Sequence, residues 1–272
     1  DQFINAENPD DSGSKRFYNQ AKALGLNYRI SNGISAFFSA AEGFESPTLA
    51  EIAYRSDGSG VNLTLDASTN RQWESSIKWQ QRSAAGSNSS GSISWFNVTT
   101  DNELLVDTAI GGRTSYRNAA RTQRHGLEIQ LRWRPNDYWQ HQLSGHYVSA
   151  TFSTDDLNGN SLPGVAKHQW HWQLAYRPWL DATQLSLHSQ YRSKVYLNDA
   201  NDAQAPGAVT FSLSAQHSQQ LSKLTLDYWL ALDNIADKAY VGSVIVNQSN
   251  GRAIEPAPGR QLSAGITAHY AW

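Results

Sequence analysis

Eight histidines are the residues of this chain best able to do chemistry, as metal ligands or as general bases. His168 and His171 are three apart and His141 and His146 five apart. On a β-strand an odd separation sends two side chains to opposite faces, so neither pair closes on one ion. The chain has no Cys and no Met, which removes soft copper ligation, disulfides and thiol chemistry. A nucleophile–base pair can be assembled from His188 with Ser186 or Ser189. However, no G-x-S-x-G turn presents a serine, and Ser beside His is expected by chance in a Ser-rich chain. The expectation is no catalytic residue, no metal and no cofactor.

A second group of residues suits binding. Arg55, Arg113, Arg117, Arg121, Arg124 and Arg252 fall in polar, Gly- and Asn-rich segments, with Tyr54, Tyr116, Tyr196, Asn247 and Asn250 nearby in sequence. Guanidinium forks suit carboxylates, and aromatic faces suit a flat ring. The same arginines suit pairing with loop acids or with phosphate, and residue types alone leave both readings open. Glu74, Lys78, Glu128 and Arg132 alternate with Trp73, Trp79, Leu127 and Trp133. Their simplest use is as ionic partners on a wetted wall.

The elements that must carry these residues read as strands throughout. The clearest lies at the C-terminus, where Leu262, Ala264, Ile266, Ala268, Tyr270 and Trp272 share one face and Gln261, Ser263, Thr267 and His269 the other. That is period two, one face toward an apolar medium and one toward a polar one. Tyr270 and Trp272 stand where an aromatic girdle meets a bilayer interface, the position from which a terminal strand directs barrel assembly. Similar alternation predicts strands over Lys15–Ile30, Gly33–Gly43, Arg71–Arg82, Gly91–Glu103, Arg121–Arg134, Tyr138–Phe152, His168–Tyr176, Thr183–Tyr196, Ala208–His217 and Lys223–Asp233, about eleven in all. No stretch approaches the roughly 20 consecutive apolar residues of a membrane helix. A chain with 10 Trp, 12 Tyr and 39% hydrophobic residues is therefore expected to cross a membrane by strands, as an all-β transmembrane antiparallel β-barrel. A net charge of −2 argues against nucleic acid as a partner.

Connections alternate between short links and the long polar segments Phe44–Asn70, Leu104–Ala120, Ser153–Lys167, Leu197–Gly207 and Asn234–Gly259. In outer-membrane barrels the long loops are extracellular and the short turns periplasmic, so the first strand is expected to descend from outside and the C-terminus to lie in the periplasm. Barrels of this type have an even strand number. About eleven strands therefore lead to the expectation that the 272 residues are part of a larger barrel.

Four segments, in order, resemble the TonB-dependent outer-membrane receptors. SAFFSAAEGFESPTLAEI (35–52) resembles their G-F-x-x-P-T-x-x-E-L element. ISWFNVTTDNELLV with SYRNAARTQRHGLEIQL (within 93–131) resembles their Y-x-N…G-x-E hairpin. LPGVAKHQWHWQLAY resembles the approach to the following strand, and LALDNIADKAYVGSVIV with EPAPGRQLSAGITAHYAW resembles the closing strands. The resemblance implies a 22-stranded barrel of which 1–272 is the C-terminal half, with the plug and the N-terminal barrel strands absent. It further implies import of a scarce ligand with energy from TonB acting on that plug, and contact with lipopolysaccharide and outer-membrane lipid. DGSGVNLTLDAS, SYRNAARTQRHG and YVGSVIVNQSNGRAIEPAPGR resemble the branch that takes up pyrroloquinoline quinone, a tricarboxylated cofactor, although Ala67-Ser68 departs from the family's L-K-P-E. On that reading Tyr54, Arg55, Arg113, Tyr116, Arg117, Tyr196, Asn247 and Arg252 are the ligand-binding set. Receptors for siderophores, haem and cobalamin share the same wall, and the ligand stays open. A passive porin explains a barrel but not four ordered motifs, and a barrel enzyme has no assembled site.

Overall fold

The computed structural model describes residues 12–57, 60–83, 86–153, 156–178 and 182–271. Eleven strands form one antiparallel sheet: β1 (Lys22–Ser31), β2 (Ile34–Glu45), β3 (Ser68–Arg82), β4 (Asn88–Ile110), β5 (Arg113–Arg134), β6 (Trp139–Phe152), β7 (His168–Tyr176), β8 (Thr183–Arg192), β11 (Ala208–Leu221), β12 (Leu224–Asp233) and β15 (Gln261–Tyr270). Each strand pairs with its neighbour in that order, and β1 and β15 are the two edges. Two small hairpins, β9 (Val195–Tyr196) with β10 (Gln204–Ala205) and β13 (Val241–Val244) with β14 (Ile254–Pro256), sit inside the last two long connections. Among the described residues no helix is long and apolar enough to cross a membrane, which says nothing against crossing by strands.

Register turns the alternation of each strand into a continuous band. Leu26 stands opposite Phe38, Phe38 opposite Ser75, and Ser75 opposite Trp95. Trp95 then faces Leu127 and Leu127 faces Tyr147. At the far edge Leu213 meets Leu232, which meets Leu262. This face is predominantly apolar across the sheet and open to its surroundings: Leu24 is 61% exposed and Ile266 68%. Because a one-residue slip moves a strand's whole apolar set to the wrong face, the band fixes the register of all eleven strands together. Tyr270 lies on this face opposite Leu224, at the short-turn end, while Trp272 falls outside the described residues.

Glycine clears room for aromatic rings across the ladder. Gly91 faces Trp79, Gly126 faces Phe96, Gly145 faces Trp170 and Gly265 faces Trp229, each directly opposite. A Cβ on Gly145 would stand 2.4 Å from Trp170 Cε3 and 2.6 Å from the Gln169 carbonyl oxygen. The indole lies over the bare backbone, a device that stabilises glycine in strands. Gly145→Val should therefore force Trp170 off its seat and cost about 1–3 kcal/mol. The check, made in the full-length protein, is the temperature at which the folded band is lost on semi-native gels, which should fall for Gly145→Val and stay unchanged for Ser144→Val on the opposite face.

The strands differ from the sequence-based expectation at the long-loop end. The segment 104–120 is not a loop: β4 and β5 continue through it as a hairpin 23 and 22 residues long. The turn is Gly111-Gly112, both at positive φ (59° and 80°), which is the backbone a two-residue hairpin turn requires. Asp101-Asn102-Glu103 interrupts the apolar alternation there, and Asn102 takes φ 53°, so periodicity fails while pairing continues. The first strand begins at Lys22 rather than Lys15, and the strand expected over 183–196 ends at Arg192.

The closely packed apolar residues lie above the band rather than within it. One cluster joins Ala119, Ala150, Phe152 and Leu162; a second joins Ala166, Val195, Ala205 and Val241. A single open sheet has no interior of its own, so among the described residues the apolar side chains that cluster away from water do so where the long connections fold over the sheet.

Candidate ligand-binding site

The long connections are bonded to one another. Asp199, between β9 and β10, is the hub: its Oδ2 accepts from Arg117 Nη2 at 2.7 Å and from Asn247 Nδ2 at 3.2 Å. Its N–H donates to Asn247 Oδ1 at 3.2 Å, and its carbonyl accepts from Asn160 Nδ2 at 2.9 Å. Asn247 Nδ2 also donates to the Val106 carbonyl at 2.7 Å, and the Ala109 N–H donates to the Asn247 carbonyl at 3.3 Å. Asp107 lies 3.7 Å from Arg117 Nε. Asn201 completes the junction, accepting from the Ser161 N–H at 2.7 Å and returning Nδ2 to the Ser161 carbonyl at 2.8 Å. The β4–β5 hairpin and the connections after β6, β8 and β12 therefore meet at one half-buried ion pair.

The β2–β3 connection joins the same rim through β5. Asn62 Nδ2 donates to the Tyr116 carbonyl at 3.3 Å, and Asn118 brackets Asp66, accepting its N–H at 2.8 Å and donating to its carbonyl at 2.9 Å. Lys15 Nζ reaches Asp66 Oδ1 at 2.8 Å. This fastening carries 54–57 over the tip of the β4–β5 hairpin. There Tyr54, Arg55, Ser56 and Asp57 line a cavity of about 430 Å³ with Thr108, Ile110, Gly111, Arg113 and Ser115. The Arg113 guanidinium carbon lies over the Tyr54 ring, 5.1 Å from its centroid, a cation–π arrangement. The aromatic face gives such a wall area for a flat group, and the guanidinium brings positive charge to a cavity that Asp57 also lines.

The eight residues expected to bind ligand thus divide. Tyr54, Arg55 and Arg113 share the cavity. Arg117 and Asn247 form the junction, where Asp199 engages them, and Tyr116 holds Asn62 through its carbonyl. Tyr196 lies under Lys194 Nζ at 5.1 Å, and its carbonyl accepts from the Gly164 N–H. Arg252 is exposed, its N–H donating to Asn250 Oδ1 at 3.0 Å. Two further arginines pair with acids: Arg121 with Asp101 at 2.6 Å, and Arg124 with Glu103. Asp199, Asn160 and Asn201 were not anticipated. The run Asn198-Asp199-Ala200-Asn201-Asp202 was the signal for Asp199 and Asn201, since Asx side chains bond local backbone and stiffen loops.

The histidines behave as parity requires. His141 lies on the apolar face between Trp133 (5.1 Å) and Trp172 (6.1 Å), and His168 lies against Tyr147, whereas His146 and His171 occupy the opposite face.

A protein-family model described as TonB dependent receptor-like, beta-barrel, matches residues 2–235. Among solved structures, the chain is similar to the ferric citrate transporter FecA in its unliganded form (TM-score 0.72, 18% identity, 92% of this chain and 38% of that one). It is also similar to the ferric yersiniabactin uptake receptor FyuA from Yersinia pestis (TM-score 0.68, 17% identity, 92% and 37%). A third likeness is to BauA, the ferric preacinetobactin receptor from Acinetobacter baumannii (TM-score 0.67, 15% identity, 91% and 36%). At these identities the likeness is one of fold. The chain spans a little over a third of the length of these solved structures.

Proposed function

Since this chain belongs to the TonB-dependent receptor-like β-barrel family of the bacterial outer membrane, we propose that it is part of the wall and outer rim of a receptor that binds a scarce extracellular ligand and imports it with TonB energy. The outward apolar band is then the lipid-facing surface, the long-loop end faces the medium, and the opposite face lines the lumen. The remaining partners are the rest of the same receptor, which supplies plug and further strands to complete a 22-stranded barrel, and lipopolysaccharide around the rim. The chain is the wall of a transporter, not an enzyme.

The finer reading is an anionic, planar ligand, with pyrroloquinoline quinone as the specific case. The supporting observation is the cavity where Arg113 lies over Tyr54 beside Arg55. The similar solved structures named above are a ferric citrate transporter and receptors for ferric yersiniabactin and ferric preacinetobactin, and a ferric siderophore is the competing ligand.

Arg113→Gln in the complete receptor should weaken quinone binding by roughly ten- to a hundredfold, the size of one charge-assisted hydrogen bond of about 1.5–3 kcal/mol. The loss should be larger at low salt, where longer-range attraction is least screened. Titration of quinone, a neutral siderophore and haem against wild type and variant checks it. Equal quinone affinity in both proteins removes the charge argument, and tight binding of the neutral ligand alone replaces the quinone.

A further inference from the structure

Pairs of histidines close in sequence cannot share an ion, but the sheet brings others together across strands. On the luminal face His146 of β6 stands opposite Gln169, and His171 is two residues further along β7. His171 stands opposite Gln190, and His188 is two residues further along β8. His188 stands opposite Ser212, and Ser214 is two residues further along β11. Each step moves one strand round the wall and two residues toward the periplasmic end, so three imidazoles and a hydroxyl form a diagonal descending the lumen. Such diagonal neighbours lie within side-chain reach in antiparallel sheets.

The lower steps are in contact. The His171 and His188 rings have centroids 5.9 Å apart and planes inclined at 36°, and His188 Nε2 lies 3.4 Å from Ser214 Oγ. All three histidines are half-buried. Two imidazoles bound to one ion at about 2 Å each have centroids roughly 5–6 Å apart, a separation that the 5.9 Å of this pair matches. Among the described residues no group of three His, Asp or Glu gathers that could hold an ion, so the protein supplies two nitrogens and solvent or a chelator supplies the rest. Two-donor sites hold an ion less firmly than the three or four ligands of resident metals. That suits an ion bound in passing.

We propose that His171 and His188 form a luminal site for a divalent first-row transition-metal ion, free or carried in a chelate with open coordination positions, with His146 as the step above it. Imidazole donors favour Cu(II) over the earlier metals of the row. The site goes beyond the receptor's external ligand and does not depend on what that ligand is.

The experiment uses the complete, tag-free receptor in detergent with Cu(II) chloride as the probe, read by paramagnetic resonance and by calorimetric titration. Wild type should show superhyperfine coupling to two nitrogens. His171→Gln and His188→Gln should each reduce coupling to one nitrogen and weaken binding by roughly tenfold or more. His141→Gln, on the lipid face between two indoles, should change neither reading. A wild-type spectrum without nitrogen coupling, or unchanged Cu(II) affinity in the His171→Gln/His188→Gln double variant, overturns the proposal. The wild-type nitrogen count stands even if a variant fails to assemble.

Discussion

Expressed by itself, this 272-residue chain should yield no heat-modifiable monomeric barrel. Among the described residues β1 pairs only with β2 and β15 only with β12, so both outer edges present unpaired N–H and C=O groups to hydrocarbon, where each unsatisfied group costs several kcal/mol. Edges about ten residues long therefore carry a penalty of tens of kcal/mol, beyond the roughly 5–15 kcal/mol that stabilises a typical domain. Co-expression with the remaining strands of the same receptor should rescue a folded species that migrates differently before and after boiling. A folded monomer from this chain alone, crossing the bilayer without partner strands, would defeat the expectation.

Asp199→Ala should have the second large effect, confined to the rim. It removes the acceptor of Arg117 and Asn247 together and leaves a half-buried guanidinium with only Asp107, at 3.7 Å, as partner. The Asp199 side chain is 17% exposed, so solvent screens the pair incompletely, and losing its charge-assisted hydrogen bonds should cost about 1.5–3 kcal/mol. Since 1.4 kcal/mol is tenfold in an equilibrium constant, hydrogen exchange at the amides of Ala109 and Ser249 should accelerate by roughly ten- to a hundredfold. The amides of β11 and β12 should not change. Asp199→Asn keeps the shape but not the charge, and should fall between. Equal protection in wild type and Asp199→Ala means the rim is held by its apolar clusters alone.

What the sequence disclosed and what it hid follow from one physical distinction. Strands with lipid on one side and water on the other must alternate, and that alternation is local; hence β7 was read to the residue and the eleven-strand count emerged. The rim is wetted on all sides and has no such rule. The hairpin extension over 104–120 was missed because Asp101, Asn102 and Glu103 look like loop residues, whereas its ladder is held by pairing at a distance and by Gly111-Gly112 at the tip. Residue type alone grouped Arg113 with Arg117. Only the fold separates them, one lying over Tyr54 and the other gripped by Asp199. The luminal histidines escaped for a related reason: His171 and His188 are seventeen positions apart, and only strand register makes them neighbours.

The bond from Asn247 to the Val106 carbonyl spans 141 residues. Contacts so distant along a chain form late, because the intervening loop must lose its conformational freedom before the contact repays it. The junction therefore closes in two stages: Arg117 and Asn160 can engage Asp199 once the connection after β8 is in place, whereas the bonds from Asn247 wait for the connection between β12 and β15. The rim is thus a timer of its own completion, and resistance of the β12–β15 connection to proteases marks the molecules in which Asn247 has reached Val106.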